Sequence, residues 1–89
     1  MRRVLVSPTA AKQLDELPPK ERRRLVSGLH ALGEDPFRPR PGADIRKLEG
    51  IEPPKYRLRV GDLRVVYAVG EHEIHVFEIF RRGSGYALG

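Results

Sequence analysis

The sequence predicts an α+β fold. It reads as one small domain ordered β-α-α-β-β-β, with a helical hairpin packed on a twisted antiparallel sheet. Apolar residues recur at three- and four-residue spacing through the first third of the chain. From Lys55 onward they recur at period two, and a Pro/Gly-rich stretch separates the two textures. A chain of 89 residues supports one hydrophobic core, so residues 1–89 are read as a single domain.

Val4-Leu5-Val6, after two arginines, is a short β-branched run and predicts a strand over residues 2–6. Ser7-Pro8 then supplies an N-cap followed by the residue favoured at the first helical position. Ala10, Ala11, Leu14 and Leu17 give the helix one apolar face, and Pro18-Pro19 ends it. The second proline also opens another helix, whose stripe is Leu25, Val26, Leu29 and Leu32, with Glu21 to Arg24 toward solvent. Gly33 predicts its stop and Asp35-Pro36 follows.

Residues 36–47 carry Pro36, Pro39, Pro41 and Gly42 among charges and read as an extended, exposed loop. Beyond it, Tyr56, Leu58 and Val60 alternate with Arg57 and Arg59 up to Gly61-Asp62. Leu63, Val65, Tyr67 and Val69 alternate with Arg64, Val66 and Ala68 up to Gly70-Glu71-His72. Ile74 to Phe80 is apolar at most positions. This is the pattern of a three-stranded meander, with the last strand placed centrally and covered on much of both faces.

Composition narrows the function classes. The absence of cysteine excludes a disulfide scaffold, a thiolate zinc site and a cysteine nucleophile. The longest apolar run near the N-terminus is three residues, too short for a signal peptide, and no run approaches membrane-spanning length. A cytoplasmic protein with no membrane association is expected. Lysine and arginine total 17 against 12 acids, for a net charge of +5, and 13 of those 17 cations are arginine. Arginine offers a planar donor fork that fits phosphate and stays charged at physiological pH. The bias is consistent with a polyanion partner and equally with a preference for arginine as the surface cation.

Register concentrates the charge. A two-residue turn at Gly61-Asp62 pairs Val60 with Leu63, Arg59 with Arg64, Leu58 with Val65 and Arg57 with Val66. Arg57, Arg59 and Arg64 then share one face, and the segment 55–64 carries four cations against Asp62, a charge of +3. Like charges directly opposite are unfavourable unless an anion lies between them. The same three arginines are also what a solvated hairpin face contains, with Glu49, Glu52 or Glu78 as partners, and a longer turn would separate them. Arg81 and Arg82 follow the last strand. Gly83-Ser84-Gly85 then allows Tyr86 to swing toward the sheet as a stacking or proton-transfer group, or to plug the chain end. His75 reads as structural or incidental.

Several motifs run through the chain: Ser-Pro-x-Ala-x-Lys-x-Leu-x-x-Leu from Ser7, Leu-x-x-Asp-Pro from Leu32 and Lys47-Leu48-Glu49-Gly50. The strongest is Tyr56-Arg57-Leu58-Arg59-Val60-Gly61-Asp62-Leu63-Arg64-Val65-Val66-Tyr67, followed by Val76-Phe77-Glu78-Ile79 and Arg82-Gly83-Ser84-Gly85-Tyr86. On these motifs the chain resembles the RelE/ParE superfamily of bacterial and archaeal toxins from type II toxin–antitoxin systems, and within it the RelE-type mRNA interferases. It implies one RelE-like domain that enters the ribosomal A site, contacts 16S rRNA and cuts the bound mRNA without metal or cofactor. The RNA 2′-OH attacks the adjacent phosphate and leaves a cyclic phosphate on the upstream fragment.

Carried over by position, the resemblance implies Arg57, Arg59, Arg64, Arg82 and Tyr86 as catalytic residues, with Lys55, Arg81, Lys47 and Arg46 binding RNA. Many relatives have histidine where Arg81 stands, and some have lysine where Arg57 or Arg59 stands. Because arginine scarcely releases its proton, those two residues are expected to act as electrostatic clamps, leaving Tyr86 as the proton-transfer candidate. The resemblance further implies a small RelB-like antitoxin, bound as a heterodimer or heterotetramer. A ParE-like inhibitor of DNA gyrase and an inactive RNA-binding homologue are the alternative readings.

Overall fold

The computed structural model describes residues 1–83. Within them the chain runs β1 (Arg3–Val6), α1 (Pro8–Asp15), α2 (Pro19–Glu34), β2 (Asp44–Lys47), β3 (Tyr56–Val60), β4 (Leu63–Val69) and β5 (Glu73–Arg81). The strands form one sheet in the order β1-β5-β4-β3-β2. The expected α+β architecture holds, with the meander β3-β4-β5 antiparallel throughout. β1 joins it in parallel on the free side of β5, pairing Val4 with Ile74 and Val6 with Val76.

The helix starts follow their local chemistry. Ser7 caps α1, its Oγ accepting from the Ala10 N–H at 3.0 Å, with Pro8 opening the helix. The same hydroxyl donates to the Phe77 carbonyl (2.8 Å), which fastens the start of α1 to β5. Pro18-Pro19 leads directly into α2.

Gly33 does not stop α2. The helix continues to Glu34, and Gly33 is buried where a Cβ would lie 3.1 Å from the Arg2 carbonyl, so its role is close packing against the N-terminal segment. Arg40 closes this helix end, its guanidinium donating to the carbonyls of Ala31 (2.8 Å) and Asp35 (3.0 Å). Asp35 accepts from the backbone N–H of Phe37 and then Arg38, and these bonds hold its carboxyl below the usual range.

Both helices cover one face of the sheet. Leu25, Leu29 and Leu32 from α2 and Ala10 from α1 share a core with Leu58, Leu63, Val65, Tyr67, Ile74, Val76 and Ile79. Tyr67 is fully buried and its hydroxyl donates to the Pro36 carbonyl at 2.8 Å. Burial is the main reason its pKa lies well above the ordinary phenol value.

Two further expectations change in the sheet. Residues 36–47 do not form a wholly exposed loop: Pro36, Ala43 and Ile45 are buried, and Asp44–Lys47 forms the edge strand β2 against β3. An edge strand of four residues needs only one buried side chain, here Ile45, so apolar alternation is absent. β5 has neighbours on both sides, but its second face is open at His75 and Phe77, and β4 is the middle strand. Phe77 is unpaired between Val76 and Glu78 where the β4–β5 register shifts. Val66 and Tyr67 of β4 are both buried, Tyr67 in the core under the helices and Val66 beside Arg57 on the opposite face.

The Tyr67 hydroxyl and the Leu25 side chain give the fold two measurable anchors. Tyr67→Phe, which strands the Pro36 carbonyl, is expected to cost about 1–2 kcal/mol. Leu25→Ala, which opens a cavity between α2 and the sheet, is expected to cost about 2–5 kcal/mol. Urea titration checks both, the midpoint falling while the slope stays unchanged.

Candidate nucleic-acid interface

The β3–β4 register is the one expected from a two-residue turn. Val60 pairs with Leu63, Arg59 with Arg64, Leu58 with Val65 and Arg57 with Val66. Gly61 takes φ +58° and Asp62 is not in the left-handed region, the pattern of a type II′ turn. Leu58, Leu63 and Val65 are thereby buried against the helices, while Arg57, Arg59 and Arg64 project from the opposite face. β2 extends that face, since Asp44 lies opposite Arg59 and Arg46 opposite Arg57.

The three arginines differ in environment. The Arg57 side chain keeps 20% of its exposure and the Arg59 side chain 53%. Asp44 bridges them: Oδ1 accepts from Arg57 Nη2 at 3.1 Å and Oδ2 meets Arg59 Nη2 at 2.7 Å. Glu49, Glu52 and Glu78, the partners considered from sequence, make none of these bonds. Arg57 Nε is buried without an acceptor among the described residues. Burial foremost holds the Arg57 pKa below its ordinary value. Asp44 opposes that shift, while Arg46, Arg64 and Arg59 add to it. Arg64 donates to the carbonyls of Gly61 (3.1 Å) and Leu63 (3.2 Å), so the turn backbone relieves the Arg59–Arg64 pairing on its second side.

The other expected residues divide between the two faces. Lys55 reaches across the sheet and sets its Nζ 4.9 Å from the Phe77 ring centroid. Lys47 pairs with Tyr56 and so belongs to the helix side of the edge strand, exposed. Arg81 also turns to the helix side, where its guanidinium makes a two-pronged bond to Glu21 of α2 (2.7 and 2.8 Å). It therefore stands apart from Arg57, Arg59 and Arg64.

Arg82 is the first residue after β5. Its N–H donates to the Asp62 carbonyl at 2.7 Å, which anchors it beside the turn at the Arg64 end of the sheet. Tyr86 lies outside the described residues. Asp44 was not legible as a site residue because its strand was not, although its two-residue offset from Arg46 would have placed both on one face. Among the described residues, no group of three or more His, Asp or Glu side chains is arranged to hold a metal ion.

A single α+β domain with helices on one face and an arginine-lined sheet on the other is the architecture expected of the toxin superfamily that the sequence resembles. The family profile described as the ParE toxin of the type II toxin–antitoxin system parDE matches residues 4–86, and the chain belongs to this family, within the RelE/ParE superfamily of type II toxins. A chain of the archaeal RelE–RelB complex from Pyrococcus horikoshii OT3 is 33% identical, with 94% of this chain and 98% of that chain covered and a TM-score of 0.78. A chain of the RelB–RelE antitoxin–toxin complex from Methanococcus jannaschii is 25% identical, covering 90% and 92%, with a TM-score of 0.71. The isolated E. coli RelE toxin, at 20% identity, shares the fold, with a TM-score of 0.78 over 97% of this chain and 89% of that one. No curated protein sequence matches the chain.

The Arg81–Glu21 pair has a pH signature. Its hydrogen bond is the largest cause of the lowered Glu21 pKa and of the raised Arg81 pKa. A carboxylate depressed in the folded state stabilises the fold above its unfolded value, 4.5 for Glu21, and that contribution is lost as pH falls through the folded pKa. The melting temperature of the parent protein should therefore drop more steeply below pH 4.5 than that of Glu21→Gln, as followed by circular dichroism.

Proposed function

We propose that this type II toxin is a ribosome-dependent mRNA endonuclease of the RelE type, neutralised by a RelB-like antitoxin. One observation carries the reading. Arg57, Arg59 and Arg64 stand together on the sheet face that the helices leave open, held by the register of a tight turn. In the reaction, the RNA 2′-oxygen forms a bond to phosphorus while the bond to the 5′-oxygen of the next nucleotide breaks, giving a 2′,3′-cyclic phosphate upstream. One proton leaves the 2′-OH and one reaches the departing 5′-oxygen. Negative charge grows on the non-bridging oxygens, and arginine forks stabilise it with short charge-assisted bonds.

None of these arginines serves as the base, because a guanidinium keeps its proton. Tyr86, supported by its place in the sequence motif, is the proposed proton-transfer group, and Arg82 is a further clamp. The partner follows from relatives determined as RelE–RelB complexes and from the net charge of +5, which favours an acidic wrapping chain. A second reading, inhibition of DNA gyrase, draws support from the ParE description of the matching family.

Arg59→Ala, Arg64→Ala and Arg82→Ala are each expected to lower cleavage on the order of a hundredfold while the proteins stay folded. The assay is 5′-end mapping of mRNA in a translation extract, where cuts should fall in the A-site codon. Uncut mRNA together with blocked gyrase supercoiling would establish the second reading. Cleavage that survives all three substitutions would remove the arginines from the site.

A further inference from the structure

We infer that the notch between Arg57 and Arg59 is a phosphodiester subsite and that Asp44 occupies it as a built-in stand-in for the phosphate, competing with nucleic acid in the free toxin. This rests on the reading that the arginine face meets RNA and adds to it how that face is kept in check.

The geometry is that of a bound anion. Arg57 and Arg59 leave the strand about 7 Å apart at the backbone, two residues along it, and their guanidinium groups converge on one carboxylate. One planar anion spans them by giving a different oxygen to each, at 3.1 Å and 2.7 Å. A phosphodiester offers the same element, two non-bridging oxygens on one centre carrying one negative charge. Asp44 comes from β2, the edge strand, while both arginines come from β3, and its side chain is partly exposed. It can therefore turn aside to solvent without disturbing the core, whereas Arg57 is largely buried and stays in place.

Surroundings favour exchange of one anion for another. Arg46 and Arg64 flank the pair, so the notch lies in a positive field that a single carboxylate neutralises only in part. An isolated oligonucleotide must displace Asp44 one phosphate at a time. An RNA held in place with several phosphates presented together does so at lower cost. The expected consequence is weak binding of stray RNA and retained binding of positioned RNA.

The test uses the full-length toxin and a short single-stranded 2′-deoxy oligonucleotide, which lacks the attacking hydroxyl and is not consumed. Asp44→Asn, isosteric and uncharged, should bind it roughly three- to tenfold more tightly at low salt. The slope of log K against log salt should steepen by about 0.7, one additional phosphate contact. Asp44→Glu should behave like the parent. Glu71→Gln, which removes an equal charge at the far end of β4, should shift affinity by less than Asp44→Asn and leave the slope unchanged. Melting curves with and without oligonucleotide confirm folding, and the ligand-induced rise should be larger for Asp44→Asn than for the parent.

Weaker or unchanged binding by Asp44→Asn would overturn the inference and make Asp44 a mere support for the arginines. An equal gain in Glu71→Gln would overturn it in favour of net charge. Cleavage on ribosomes is scored separately, so a toxin that fails to cut mRNA refutes the endonuclease reading without touching the binding result. A toxin that cuts, with Asp44→Asn binding like the parent, refutes only the role of Asp44.

Discussion

Side chains alternate along a strand, so the Gly61–Asp62 turn decides far more than a chain reversal. By pairing Val60 with Leu63 it sends Leu58 and Val65 to the helices and Arg57, Arg59 and Arg64 to the other face. A slip of one residue would bury arginines under α2 and expose the strand's apolar set. Core and charged face are thus two outcomes of one register, and Gly61 at φ +58° provides the conformation that fixes it. β2 adds its own pairing to the same frame, with Ile45 on the core side beside Leu58 and Asp44 on the charged side beside Arg59.

Concentrating cations on one face works against folding, and the molecule offsets it locally. Arg59 and Arg57 share Asp44, Arg64 takes the carbonyls of its own turn, and Lys55 lies over the Phe77 ring. Asp44 and Phe77 are partly open to solvent, where a charge interaction contributes little to stability. The helix side is arranged differently. Arg81 leaves the charged face to pair with Glu21, and Arg40 closes the end of α2. Arginine therefore fastens separate elements together on the helix side and rests on local partners on the other.

Much of this was legible in the sequence, for identifiable reasons. The meander and its pairing followed from period-two alternation and a two-residue turn, and the α1 start followed from Ser7-Pro8. The rest depended on contacts that no local pattern encodes. β2 has one apolar residue, so its strand character comes from pairing with β3. Gly33 reads as a stop signal but serves close packing against Arg2. Arg81 and Arg82 are adjacent in the motif, yet strand alternation sends Arg81 to the helix face opposite Leu63. Asp44 lies on β2 and so carries no local signal of its own, yet among the described residues it is the carboxylate that joins Arg57 and Arg59.

Under the proposed function, arginine at both clamp positions of β3 divides the chemistry. Charge stabilisation can come from the sheet, because guanidinium forks remain protonated throughout the reaction. Proton transfer cannot come from Arg57, Arg59 or Arg64. It must come from a group brought to the sheet, whether Tyr86 of the C-terminal segment or a group of the ribosome. Such a division suits a chain of this size, whose single core can hold three arginines in register but leaves little room to bury and tune a base beside them. It also makes Asp44 the carboxylate closest to the clamp. Both of its carboxylate oxygens are engaged by guanidinium groups. That placement, one anion held between two guanidinium groups, fits the inferred competition with phosphate.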